Sequence, residues 1–141
     1  MNSWTLIEHL QRLQRRVKTR LDPALAEVGL APSAAFLLAA AERCPYPTDL
    51  AQMMALPPPT VSRLLKDLEL GGYLARETVP EDLRRYRFRL TPAGEAVKQA
   101  ARDHIEQVVD RMLQRLTPAE RDELDRLMAI LTDEGDGANG N

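Results

Sequence analysis

Residues 60–70 read Thr-Val-Ser-Arg-Leu-Leu-Lys-Asp-Leu-Glu-Leu, Gly71-Gly72 follow, and residues 82–90 read Asp-Leu-Arg-Arg-Tyr-Arg-Phe-Arg-Leu. In the first stretch Val61, Leu64, Leu65 and Leu68 recur at helical spacing and form one apolar stripe. Thr60, Ser62, Arg63 and Lys66 fall on the other side, near the N-terminal half. Glycine readily takes the left-handed conformation that ends a helix, so Gly71-Gly72 predict a stop after Leu70. In the second stretch the period changes to two: Tyr86, Phe88 and Leu90 alternate with Arg85, Arg87 and Arg89. That pattern predicts a strand with one apolar and one cationic face. Tyr73–Thr78 is the partner strand, and Val79-Pro80-Glu81-Asp82-Leu83-Arg84 is the turn between them.

Upstream, Pro32–Arg43 reads as a helix apolar on most sides, hence central. A break at residues 44–47 leads to a short helix near Thr48–Met54, which Thr48 can cap. Leu56-Pro57-Pro58-Pro59 is a turn into the helix at Thr60, with one of the last prolines at its first position. Short helix, tight turn and second helix make a helix-turn-helix, whose second helix fits the major groove of DNA. Thr60, Ser62, Arg63 and Lys66 then supply donors for base edges and phosphates, with Pro58 and Pro59 leading in. The free N–H groups of the helix start favour a phosphate. At the hairpin tip, Asp82 is placed to hold the guanidinium of Arg84 for a narrow minor groove, with Arg85 beside it. Arg87 and Arg89 can follow the DNA backbone; the plain alternative for each arginine is a solvated strand face.

The outer segments are helical. Trp4–Leu21 places Leu6, Leu10, Leu13, Val17 and Leu21 on one face and basic residues on the others. Thr91-Pro92 opens a long helix to about Leu116, and Thr117-Pro118-Ala119-Glu120 is a capping box that starts a last helix through Leu131. Their apolar stripes exceed what a small winged lobe can cover, which predicts a core shared between subunits. The tail Gly135–Asn141 is rich in Gly, Asn and Asp and is expected to be disordered.

The net charge of −2 does not advertise a nucleic-acid partner, but its distribution does. Residues 1–20 carry five Lys/Arg against one acid, and residues 60–92 carry seven against five. Phosphate attraction is local under physiological screening, so two basic segments suffice for a footprint. A single cysteine excludes an intrachain disulfide framework, and no apolar run suits a membrane span; a cytoplasmic location is the default expectation. There is no phosphate-cradling glycine loop, nucleophile elbow or metal-ligand spacing, so neither an enzyme nor a cofactor is expected.

Leu50-Ala51, the run Thr60–Glu69, Gly72-Tyr73-Leu74, Asp82-x-Arg84 and Leu90-Thr91-Pro92-x-Gly94 together resemble the MarR family of winged-helix transcriptional regulators, by motif over roughly residues 30–95. The resemblance implies a mainly helical fold with a small β-hairpin: a DNA-binding lobe over residues 31–94, with dimerisation helices at 1–30 and 95–134. It implies a homodimer on an inverted-repeat operator, a repressor's role, and control by a small lipophilic or phenolic effector. The three-proline turn at Pro57–Pro59 departs from the family pattern and bears on which residues touch DNA. Two other readings stand beside this one: a redox-responsive regulator using Cys44, and a winged-helix module that binds protein instead of DNA. His9 and His104, lacking a nearby Cys/His cluster, read as ordinary surface or core residues and not as metal ligands.

Overall fold

The computed structural model describes residues 1–133; the segment expected to be a disordered tail lies outside them. Six helices and one hairpin follow in the order α1 (Ser3–Ala26), α2 (Pro32–Arg43), α3 (Pro47–Met54), α4 (Pro58–Leu70), β1 (Leu74–Val79), β2 (Asp82–Leu90), α5 (Pro92–Leu113) and α6 (Pro118–Thr132). The chain forms two compact units, one over Met1–Val108 and a second from Val109 onward.

The first unit holds the core. Leu21 and Leu25 of α1, Leu37 and Leu38 of α2, Leu50 of α3 and Val61 of α4 are its fully buried side chains. Leu65 and Leu68 of α4, Leu74 of β1 and Phe88 of β2 close it. Among the described residues no polar or charged side chain is buried, so the lobe is held by aliphatic packing. The stripe expected on α4 is the buried one, with Leu64 at its edge.

α1 outruns its expected end. It continues through Pro23 to Ala26, where a proline interior to a helix removes one hydrogen bond. Leu21 and Leu25, four residues apart, are 1% and 0% exposed. Burying a leucine stabilises by about 1.5–3 kcal/mol, comparable with the roughly 3 kcal/mol proline penalty, and the helix persists. α3 starts at Pro47, before the expected Thr48: Tyr46 is the N-cap and makes no side-chain cap bond. Proline at the first helical position costs no donor that the helix would use.

β1 and β2 pair antiparallel, with Leu74 opposite Leu90, Glu77 opposite Arg87 and Thr78 opposite Tyr86. The register then shifts, so that Val79 faces Asp82. The connection is tighter than the expected six-residue turn, and Leu83, Arg84 and Arg85 are extruded from the ladder as an irregularity on β2. The Phe88 N–H donates to the Pro45 carbonyl at 2.9 Å, tying the hairpin to the α2–α3 connection.

The join from hairpin to α5 explains the Leu-Thr-Pro-x-Gly string. The Thr91 hydroxyl donates to the Gly72 carbonyl at 2.6 Å and accepts from the Gly94 N–H at 3.0 Å. Gly94 lies against the Tyr73 carbonyl, where any Cβ would collide with backbone. Gly72, at φ +79°, makes the turn out of α4.

In the second unit, α6 begins with the expected capping box: Glu120 N–H donates to Thr117 Oγ1, and the Thr117 N–H donates to Glu120 Oε2. α6 buries no residue, and Leu127, Met128, Ile130 and Leu131 are exposed along it.

Candidate nucleic-acid interface

α4 presents its N-terminal half outward. Ser62, Arg63 and Lys66 are exposed, Thr60 is half-buried, and none of the four has a side-chain partner among the described residues. Two unpaired cations and two hydroxyls on one exposed helix face are the groups a DNA-reading helix requires.

The start of α4 differs from expectation. Pro57 is the N-cap, Pro58 and Pro59 are the first two helical residues, and no side chain caps the helix. Prolines have no N–H, and the N–H groups of Thr60 and Val61 both donate to the Pro57 carbonyl, at 3.0 and 3.2 Å. The helix dipole remains, but the free N–H groups expected to hold a phosphate are absent from this first turn. Pro58 and Pro59 are exposed and offer ring methylenes in their place.

At the wing tip Asp82, Arg84 and Arg85 are all exposed. Asp82 Oδ1 accepts from the backbone N–H of Arg84 at 3.1 Å, not from its guanidinium. A short side chain bonded to the backbone two residues on fixes the turn, so Asp82 shapes the tip, and the Arg84 guanidinium has no partner among the described residues. Arg85 stacks over the Tyr46 ring, its guanidinium carbon 4.4 Å from the ring centre. This stacking sets the flank of a cleft of about 270 Å³ lined by Tyr46, Thr48, Arg84 and Tyr86.

Farther down the wing the cationic face is not free. Glu77 projects from β1 between Arg87 and Arg89, accepting from Arg87 Nε at 3.3 Å and from Arg89 Nε at 2.6 Å. Arg89 chiefly, with Arg87, holds the Glu77 carboxyl below its ordinary range, and Glu77 first and Tyr46 second raise Arg87. On the opposite face Arg76 pairs with Glu69 of α4 at 3.3 Å and lies 4.3 Å over the Tyr86 ring. The sequence pattern singles out neither Glu77 nor Tyr46 nor Arg76. The one available signal for Glu77 is its place opposite the arginine strand, which depends on a register the sequence leaves open.

Cys44 is free and half-buried, and His104 Nε2 lies 3.8 Å from a Glu27 carboxylate oxygen. No group of three or more His, Cys, Asp or Glu among the described residues could hold a metal ion. No described helix is long and apolar enough to cross a membrane.

A helix-turn-helix whose second helix carries unpaired polar groups, followed by an arginine-tipped hairpin, defines a winged helix-turn-helix protein. Residues 29–85 match the model of the MarR family. The solved structure of CouR, a transcriptional repressor bound to a 23-mer DNA duplex, is 26% identical; the match has a TM-score of 0.79 and covers 94% of this chain and 99% of that one. Rv2887 of Mycobacterium tuberculosis in complex with salicylic acid is 25% identical, with a TM-score of 0.75, covering 86% of this chain and 92% of that one. A mutant of Escherichia coli MarR complexed with operator DNA is 17% identical and speaks for the fold alone, with a TM-score of 0.79 over 92% of this chain and 94% of that one. No curated protein matches the chain. Over residues 29–85 the chain is similar to the MarR family, and its fold is the winged-helix fold of these transcription regulators.

Proposed function

We propose that this protein is a homodimeric DNA-binding repressor that recognises an inverted-repeat operator and is released from it by a small lipophilic or phenolic effector. The observation that carries the DNA reading is the exposed, unpaired set Ser62, Arg63 and Lys66 on α4, flanked by Arg84 and Arg85 at the wing tip. In the proposed complex Thr60, Ser62, Arg63 and Lys66 enter the major groove, and Arg84 enters the flanking minor groove. Asp82 orders the tip, Arg85 lies alongside it, and Arg87 stays with Glu77. Pro58 and Pro59 contribute apolar surface. The DNA complex of CouR supports this reading.

Residues 1–30 and 95–134 form the dimerisation region in this proposal, and residues 31–94 the DNA-binding lobe. The effector site we favour is an apolar groove of about 410 Å³ between α1 and α2, lined by Leu10, Leu13, Val17, Leu21 and Phe36 with Lys18 at its edge. An aromatic carboxylate matches this lining, its ring on the leucines and its charge toward the lysine. The salicylic acid complex of Rv2887 supports that class of ligand.

The test is a gel-shift series on the upstream region of the protein's own gene and on unrelated duplex, at several salt concentrations. A DNA reader shows a preferred sequence and affinity that falls steeply with salt. Arg63→Ala and Lys66→Ala weaken binding, and each reduces the salt slope by about one where the side chain meets a phosphate. Where it meets a base edge, the substitution relaxes specificity at one position, at about 1–3 kcal/mol. Operator affinity unchanged by Arg84→Ala would sink the placement of the wing in the minor groove. Operator affinity unmoved by salicylate-class acids would remove the effector assignment.

A further inference from the structure

We propose that Glu77 sets DNA specificity in this protein by withholding Arg87 and Arg89 from the duplex, confining the wing's DNA-facing charge to its tip. The inference rests on the DNA-binding reading above. Glu77 sits directly opposite Arg87 in the ladder, with Arg89 diagonal to it on the same face. Cross-strand neighbours on one face have Cβ atoms about 4.5–5.5 Å apart, and diagonal ones about 7–8 Å, so backbone geometry alone keeps the carboxylate between the two guanidiniums. Both oxygens of Glu77 are used, one for each Nε.

The strength of these ion pairs is not what matters. Side chains 34–57% exposed form pairs that water screens, and each adds little to stability. What matters is the fixed anion. A phosphate that approaches Arg87 or Arg89 also approaches Glu77, and the trio presents one net positive charge where the sequence shows two cations. The tip is arranged oppositely: its acid, Asp82, is spent on a backbone N–H, and Arg84 keeps an unpaired guanidinium.

The consequence falls on specificity. Strand-face arginines attract every duplex equally, because phosphate contacts carry no sequence information. Specificity is the ratio of operator to non-operator affinity, so a residue that removes sequence-blind attraction raises the ratio. Glu77 is a positioning residue in this role and touches no base.

The experiment compares wild type, Glu77→Gln and the triple variant Glu77→Gln/Arg87→Gln/Arg89→Gln, binding random-sequence duplex and operator across a salt series. Each phosphate neutralised contributes about 0.9 to the slope of log affinity against log salt, so Glu77→Gln steepens the non-operator slope by about 1–2 per subunit. Non-operator affinity rises about tenfold or more at low salt, and the operator-to-random ratio falls. The triple variant, one net charge poorer than the wild-type trio, falls below the wild-type slope by at most about 0.9 per subunit. A Glu77→Gln slope equal to wild type overturns the proposal. So does a triple variant with a slope shallower than wild type by about 1.8 per subunit, since Arg87 and Arg89 would then both touch phosphate in the wild type. This second arm decides the matter even where Glu77→Gln does not fold. Wild-type protein that binds no duplex at all defeats the DNA reading itself, an outcome distinct from either.

Discussion

Gly94 shows how a single position can carry a motif. A glycine inside a helix costs about 1 kcal/mol relative to alanine, so Gly94→Ala should stabilise α5 on propensity alone. The Tyr73 carbonyl decides otherwise, because the new methyl would meet backbone that cannot rotate away. Overpacking of this kind costs about 1–3 kcal/mol, and Gly94→Ala should lower stability in urea unfolding by that much. Gly71→Ala should cost less, because the tightest neighbour there, at 3.2 Å, is the edge of the Tyr73 ring. A Gly94→Ala protein as stable as wild type would contradict the close approach. Charge at Glu77 is open to a second measurement. Its carboxyl is held below the ordinary glutamate range, first by Arg89, so the ion pairs are intact above that range and are lost as pH falls through the depressed value. An NMR titration should place the Glu77 midpoint below the ordinary range, and the pH dependence of DNA affinity between about pH 5 and 8 should carry no contribution from its titration. A midpoint within or above that range would mean that the arginines do not hold it.

At the scale of elements, most of the fold was legible because it rests on periodicity. The buried stripe of α4, the span Pro32–Arg43 of α2, the alternation of β2 and the capping box of α6 appear where their patterns stand. The illegible parts were settled by tertiary forces: α1 continues through Pro23 because Leu25 is buried in the lobe, and the ladder register decides which arginines Glu77 reaches. The three-proline turn was legible as a departure, but not its effect. Only the hydrogen bonds of Thr60 and Val61 to Pro57 reveal a helix start without free N–H groups. This has a consequence for what α4 reads. Pro58 and Pro59 can donate nothing, and the apolar group a major groove offers to their methylenes is the C5 methyl of thymine. If they approach base edges, replacing thymine by deoxyuridine at one half-site position should weaken operator binding several-fold, and the loss should vanish in Pro58→Ser/Pro59→Ser. Affinity indifferent to deoxyuridine at every position would place the prolines against sugar and phosphate.

For the whole molecule the decisive feature is apolar surface without a cover. On α1 Trp4, Ile7, Leu10 and Leu13 are 42–69% exposed, and on α6 Leu124, Leu127, Met128, Ile130 and Leu131 are 41–72% exposed. An isolated helix of about 12–15 residues is marginal in water, and a capping box adds only about 1 kcal/mol, so α6 requires packing to persist. The homodimer we propose supplies it. Leu127→Asp should then shift sedimentation from dimer to monomer at micromolar concentration and lower thermal stability in a concentration-dependent way, as linkage of folding to assembly demands. A wild-type monomer, or a Leu127→Asp dimer of undiminished stability, would refute the assignment of α6 to the interface. The dimer also fixes the geometry of the DNA. Two α4 helices related by a two-fold axis suit half-sites about one helical turn apart, roughly 34–36 Å. Inserting five base pairs between half-sites turns the second to the opposite side of the duplex and should reduce affinity to that of a single half-site. Ten inserted base pairs restore the side but double the separation, so a rigid dimer should fail on both. Recovery at ten would mean that the two lobes reach the DNA independently, and a fixed spacing of α4 helices could not then be what an effector controls.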